Sequence, residues 1–150
     1  MVPAMFSLRP ATEADFPAIR ELIHVANINP TGLGWRRFVL AVTPDGAIIG
    51  CGQVKPHRDS SQELASMAVL PERRRQGVAK AIITLLLTTY PERLYLTCRF
   101  SLGPFYEKFG FRVVSEAEIP RYFRRISRLA RVMTALRFFK EGLLVMIRDP

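Results

Sequence analysis

From Glu63 to Ile83 the chain reads Glu-Leu-Ala-Ser-Met-Ala-Val-Leu-Pro-Glu-Arg-Arg-Arg-Gln-Gly-Val-Ala-Lys-Ala-Ile-Ile. An apolar run enters a turn, the turn contains Arg74-x-x-Gly77-x-Ala79, and an amphipathic run follows at once. Small side chains at 77 and 79 let backbone N–H groups come close to a ligand. A helix starting there aims about half a positive charge at the same point. That arrangement binds phosphate. It is neither the GxxxxGK[ST] loop of nucleotide hydrolases nor the GxGxxG turn of dinucleotide-binding folds.

A second stretch with chemical potential is Phe105-Tyr106-Glu107-Lys108-Phe109-Gly110-Phe111, preceded by the strand-like Leu94 to Thr97. Cys51 and Cys98 lie in apolar strand-like runs without CxxC or Cys/His spacing, so no metal site and no disulfide framework is expected, and both read as buried thiols. His24 and His57 stand apart from either cysteine and read as surface residues.

Together the two stretches resemble the GNAT acetyltransferases. Met67-Ala68-Val69, Pro71-Glu72 and the run Arg74 to Ala79 match, in order, the family's strand end, its Pro-Glu pair and its [Q/R]-x-x-G-x-[G/A] turn. Phe105 to Phe111 matches the family's [L/F]-Y-E-K-x-G-F segment about 30 residues further on. The resemblance implies an α/β fold with a mixed sheet, acetyl-CoA as co-substrate without a metal, and direct transfer of the acetyl group to a primary amine. It places the pyrophosphate on the amides of Arg74, Arg75, Gln76, Gly77, Val78, Ala79 and Lys80, and the pantetheine arm along Met67, Ala68 and Val69. Tyr106 then protonates the departing thiolate, and Glu63 is the candidate base that deprotonates the acceptor.

Strand alternation puts Glu63 on the face of Ala65, Met67 and Val69. The same residue also reads as a solvated glutamate at a strand start. Where many members carry Asn seven residues before the tyrosine, this chain has Arg99, and Leu102 replaces the following Ala. An acyl-cysteine route through Cys98 is the alternative to direct attack, but no histidine neighbours it in sequence.

The elements that must position these groups follow from periodicity and turn residues. Strands are expected at Phe6–Arg9, Arg37–Val42, Ala47–Val54, Gln62–Leu70, Leu94–Thr97, Phe111–Val114 and Leu143–Ile147. Helices are expected at Glu13–Val25 after Thr12, at Gly77–Thr89, at Gly103–Lys108 and over about 120–139. Pro44-Asp45-Gly46 reads as a hairpin turn and Asn27–Gly34 as a loop. The whole chain, 1–150, is expected to be one domain with the long basic helix inserted before the last strand.

The formal charge of +9 is local: seven basic residues and no acidic ones fall between Arg121 and Lys140, leaving 15 basic against 13 acidic elsewhere. On a helical projection Arg121, Arg124, Arg125, Arg128 and Arg131 share one side. Tyr122, Phe123, Ile126, Leu129, Ala130, Met133 and Leu136 occupy the other. In the family the loop after the first helix and the link between the last two strands wall the acceptor site. That implies Asn29, Thr31, Arg99 and Arg124 as acceptor-facing residues and the basic helix as a lid for an acidic or phosphate-bearing acceptor. A solvated arginine face is the other reading. So is a non-catalytic module whose arginines bind nucleic acid or an anionic surface, although no base-reading pattern is present.

No run approaches the roughly 18 apolar residues of a membrane span, and the first residues lack a secretory apolar core. A cytoplasmic protein is expected, with acetyl-CoA and an amine as partners, a second copy of the chain as a further candidate, and nucleic acid not expected.

Overall fold

The computed structural model of the chain describes residues 5–136 and 141–150. By its internal contacts the chain forms two compact units, Met1–Lys55 with Leu64–Tyr90 and Pro56–Glu63 with Pro91–Pro150. The strands form a mixed α/β architecture, and β4 (Gln62–Val69) begins in the second unit and continues in the first.

In the first unit the strand order is β1 (Ser7–Pro10), β2 (Phe38–Val42), β3 (Ile48–Pro56) and β4. β1 and β2 are antiparallel with Leu8 opposite Ala41, and β2 and β3 are antiparallel with Leu40 opposite Cys51. Helix α1 (Phe16–Val25) follows a 3-10 turn at Glu13–Asp15, where Asp15 accepts the Thr12 N–H at 2.7 Å. Its apolar residues recur every three or four positions, so Ile19, Leu22 and Ile23 are buried against Phe38, Leu40 and Cys51. Helix α2 (Val78–Thr89) lies close on β3. A Cβ at Gly50 would stand 2.7 Å from Val78 Cγ1, and one at Gly52 would stand 2.9 Å from Ile82 Cγ2, so this approach needs glycine at both positions.

In the second unit β5 (Leu94–Arg99) pairs parallel with β4 at Glu63 and Tyr95, and antiparallel with β7 (Leu143–Arg148), which in turn holds β6 (Arg112–Val113). Helix α3 (Gly103–Glu107) precedes β6, and helix α4 (Arg121–Ala135) precedes β7. The core here is Tyr95, Val114, Ile119, Phe123, Val145 and Ile147, with Tyr122 packed on it.

The sequence placed the basic helix over about 120–139; it spans Arg121–Ala135, and 137–139 lie outside the described residues. A second correction concerns its apolar side. Phe123 and Ala130 are buried, but Leu129 and Leu136 are 60% and 62% exposed, because the helix presses only its narrower Phe123 stripe onto the sheet. Arg121, Arg124, Arg125, Arg128 and Arg131 are exposed as expected.

Phe123 is therefore the anchor of α4. Replacing it with alanine is expected to lower unfolding free energy by about 3–5 kcal/mol in a denaturant titration, whereas Val132→Ala is expected to stay within about 0.5 kcal/mol.

Candidate functional site

The turn before α2 is built by backbone conformation. After a 3-10 turn at Pro71–Arg73, Arg75 and Gly77 both take the left-handed region, at φ 62 and 81. Left-handed residues among ordinary ones turn neighbouring N–H groups toward one side, the geometry of an anion-holding nest. Ala81 N–H is the first to be accepted within the helix, by Gly77 O at 3.0 Å, and no side chain caps the helix start. The amides of Val78, Ala79 and Lys80 are the helix's unsatisfied donors. A Cβ at Gly77 would meet nothing within 4 Å, so the concave side is open. Arg74, Arg75, Gln76 and Lys80 are exposed, and none of these cations has an acidic partner among the described residues. Val78 points its side chain into the core and can serve a ligand only through its amide.

Upstream, Ala68 is buried while Met67 and Val69 are half-buried. Ser66 is left-handed at φ 58, and burial still alternates around it, with Leu64, Ser66 and Ala68 buried and Ala65, Met67 and Val69 half-buried, whereas Glu63 is buried.

Glu63 is the second residue of β4, and it is not a solvated glutamate. Its side chain is 8% exposed, and Oε1 lies 2.8 Å from His57 Nε2. His57, expected at the surface, has a side chain only 11% exposed. The turn explains the pairing: Ser60 N–H donates to His57 O, Ser60 is left-handed at φ 70, and His57 N–H donates to Ser61 O. This is a three-residue hairpin loop, and with His57 facing Ser61, Glu63 becomes the diagonal neighbour of His57, within reach of a long side chain. Tyr122 of α4 stacks on the imidazole at 3.6 Å between centroids, and Phe123 meets it edge-on at 5.6 Å. Burial, then the nearby Glu63 charge, raises the Tyr122 hydroxyl above its ordinary value.

Tyr106 sits on α3, edge-on to Phe105 and Phe111. Burial, with Cys98 as a lesser cause, pushes its hydroxyl up to about 12, so it holds its proton throughout the neutral range. Cys98 lies beside Met146, with Sγ and Sδ 3.9 Å apart; burial and then the Glu141 charge push its thiol up to about 11. Cys51, hydrogen-bonded to Ser66 O, is pushed up to about 12 by burial. A thiol so raised is a poor nucleophile at neutral pH, which disfavours an acyl-cysteine.

The acceptor candidates fall in different places. Asn29 Oδ1 accepts the Thr31 N–H and hydroxyl at 3.1 and 2.8 Å, so these two residues fold their own loop. That loop is held from below by Lys55, which donates to Thr31 O, and by Gln53 and Arg37, which both donate to Gly32 O. Arg99 ends β5 and is exposed. Arg124 donates to Ile119 O and, with Ala117, Ile119, Ser127 and Arg128, lines a cleft of about 300 Å³ that neither Glu63 nor Tyr106 borders. Among the described residues no group of acidic, histidine and cysteine side chains is placed to hold a metal ion, and no helix is long and apolar enough to cross a membrane.

An acetyltransferase (GNAT) domain profile matches residues 34–113. No curated protein matches the sequence. Among solved structures, the chain is similar to Rv2747 from Mycobacterium tuberculosis in complex with CoA and NLQ, with TM-score 0.73, 22% identity and coverage of 96% of this chain and 99% of that one. It is also similar to N-acetylglutamate synthase from Neisseria gonorrhoeae complexed with coenzyme A and L-arginine, with TM-score 0.72, 21% identity and 97% of this chain but only 33% of that one. Escherichia coli ElaA matches with TM-score 0.69, 15% identity and coverage of 97% and 100%. At these identities the likeness is one of fold.

With both thiols protonated, a disulfide-exchange reagent at pH 8 is expected to label neither cysteine of the native protein and both after unfolding. Rapid native labelling of one equivalent would show a reactive thiol and reopen the covalent route.

Proposed function

The chain belongs to the GNAT acetyltransferase family, and from that premise we propose that residues 1–150 act as one acetyl-CoA-dependent N-acetyltransferase domain acting on a primary amine. The observation that carries the reading is the turn at Arg74–Lys80. Two left-handed residues, three unsatisfied helix-start amides and cations without acidic partners converge on an open concavity. Their complement is a phosphate-bearing group, and coenzyme A supplies one. The donor set fits the pyrophosphate through Arg75 to Lys80, with the pantetheine arm assigned to Met67, Ala68 and Val69.

The chemistry assigned to the remaining residues is direct transfer. A lysine side chain has an ordinary pKa of about 10.4 and an α-amine one of about 7.7–8.0, so at neutral pH the acceptor must lose a proton before it attacks. Glu63 takes that proton, and a carboxylate so placed contributes a factor of about 10²–10⁴. As the nitrogen bonds to the acetyl carbon, the carbon–sulfur bond breaks and the sulfur leaves with the electron pair. Tyr106, protonated across neutral pH, gives its proton to that thiolate. Asn29, Thr31, Arg99 and Arg124 are assigned to the acceptor. The exposed arginines of α4 suit an acceptor that carries negative charge, and charge steering of this kind fades as the Debye length falls from about 10 Å at 0.1 M salt to about 3 Å at 1 M.

Two tests follow from these assignments. Gly77→Glu puts a like charge and a strained side chain where the pyrophosphate sits, and calorimetry is expected to show coenzyme A affinity falling by at least about tenfold while the circular dichroism spectrum is kept. Wild-type affinity would remove the turn from the site. Glu63→Gln is expected to lower turnover at pH 7 by about 10²-fold and to recover as pH approaches the amine's own pKa, whereas Tyr106→Phe is expected to lower it without recovery. Wild-type rates in both variants across the pH range would overturn the acid and base roles.

A further inference from the structure

His57 has no role in the reaction just described, yet three elements hold it in place. Its backbone closes the hairpin, with His57 N–H donating to Ser61 O at 2.9 Å and Ser60 N–H to His57 O at 3.0 Å. Its ring is stacked on Tyr122 at 3.6 Å with 20° between planes, and the edge contact with Phe123 closes a second side. Its Nε2 is 2.8 Å from Glu63 Oε1. The start of α4 is bonded to the same turn, because Tyr122 N–H donates to Asp59 Oδ2 at 3.2 Å. Asp59 also accepts the N–H and hydroxyl of Ser61. Against the opposing effect of burial, those bonds hold its carboxyl below the usual range.

The two outer atoms of the pair differ from the inner ones. Among the described residues no fully buried side-chain nitrogen or oxygen lacks a hydrogen-bond partner. Among the described residues His57 Nδ1 and Glu63 Oε2 have no hydrogen-bond partner, so neither is fully buried. The carboxylate is thus fixed through one oxygen and open at the other, which is the disposition a proton acceptor needs.

We propose that His57 is the positioning residue of the Glu63 base: Nε2–H donates to Oε1, leaving Oε2 to receive the acceptor's proton, and Tyr122 of α4 holds the imidazole in that orientation. The inference rests on Glu63 being the base, as proposed above. It gives the N-terminal end of α4 a task in catalysis distinct from its arginine face. A charge-assisted hydrogen bond stops the buried carboxylate rotating its reactive oxygen away. The titratable groups that face His57 are Glu63 from β4, Tyr122 from α4 and Asp59 from its own turn. Removing the imidazole leaves Glu63 buried with no partner for Oε1, so its reactive oxygen is no longer aimed and kcat falls while coenzyme A binding is kept.

The test needs no assumption about the acceptor's identity for its first arm. The chain has two histidines, so the ring nitrogens of His57 are separable from those of His24 by long-range nitrogen NMR. In the wild-type protein at pH 8 the expected tautomer of His57 has the proton on Nε2 and Nδ1 bare, and Glu63→Gln is expected to move its ring-nitrogen signals while those of His24 are unchanged. A solvent-like tautomer mixture in His57, unaffected by Glu63→Gln, overturns the proposal. The second arm is turnover with whichever primary amine a panel shows to be acetylated. His57→Ala is expected to lower kcat by roughly ten- to a hundredfold with coenzyme A affinity unchanged. His57→Gln, whose amide nitrogen can occupy the Nε2 position, is expected to restore much of kcat and guards against misfolding of the alanine variant. Tyr122→Ala is expected to lower kcat by less. If His57→Ala and His57→Gln both keep the wild-type rate while Glu63→Gln is impaired, the positioning role is wrong and the base assignment stands. If Glu63→Gln itself turns over normally, the base assignment has failed and takes this proposal with it.

Discussion

A carboxylate taken out of water must be given hydrogen-bond partners or a charge, and Glu63 receives both possibilities from one ring. Much of the second unit is arranged around that requirement. The three-residue loop sets His57 diagonal to Glu63, Tyr122 covers the imidazole, and Phe123 and Tyr95, 5.2 Å apart, form the apolar floor that keeps α4 in place. Loss of any one of these would leave a buried acid with a mobile partner. A carboxylate that is fixed yet open at one oxygen serves proton transfer better than one on a freely rotating side chain, because the accepting lone pair is already aimed.

The phosphate site proposed for the first unit sets a different constraint, that of holding a polyanion without burying a compensating cation. It relies on backbone. Left-handed Arg75 and Gly77 and the bare start of α2 supply donors whose positions are set by the chain and not by side-chain rotamers. The close seating of α2 on Gly50 and Gly52 fixes where that helix start points. The arginines around it then act as a diffuse positive field that needs no single geometry. Left-handed Arg75 carries a steric cost that glycine would not, of order 1–3 kcal/mol.

Most of this was legible in the residues because the strong signals are local. Apolar periodicity in Glu13–Val25 and Gly77–Thr89, the Pro44-Asp45-Gly46 turn and the Arg74-x-x-Gly77-x-Ala79 spacing predict elements close to where they lie, although α1 starts at Phe16 because Glu13–Asp15 form a 3-10 turn. Gly77 and Pro120 stand at the N-caps of α2 and α4, whereas the N-cap of α1 is Asp15 and Thr12 precedes the 3-10 turn before it. What escaped depends on contacts between distant segments. His57 looks like a surface residue until the turn at Arg58-Asp59-Ser60 is recognised as a three-residue hairpin loop; that recognition would have predicted its diagonal approach to Glu63. Tyr122 stacking on it, 65 positions along the chain, had no local signal. The left-handed Ser66 in β4 carries none either, since serine rarely signals such a conformation. The helical projection of α4 placed Leu129 and Leu136 with Phe123, but a helix lying on one narrow stripe leaves the flanks of its apolar face in water.

The account stands on transfer of an acetyl group to an amine, and the most direct measurement is simultaneous detection of coenzyme A thiol and acetylated product with a panel of amino acids, polyamines, peptide N-termini and lysine-containing peptides. At least one primary amine is expected to yield both in equal amounts, with the rate rising as carboxylate or phosphate groups are added to the acceptor at low salt. Binding of acetyl-CoA with thiol release no faster than its hydrolysis across the whole panel would contradict the account and leave a non-catalytic coenzyme A-binding protein whose arginine helix serves another partner.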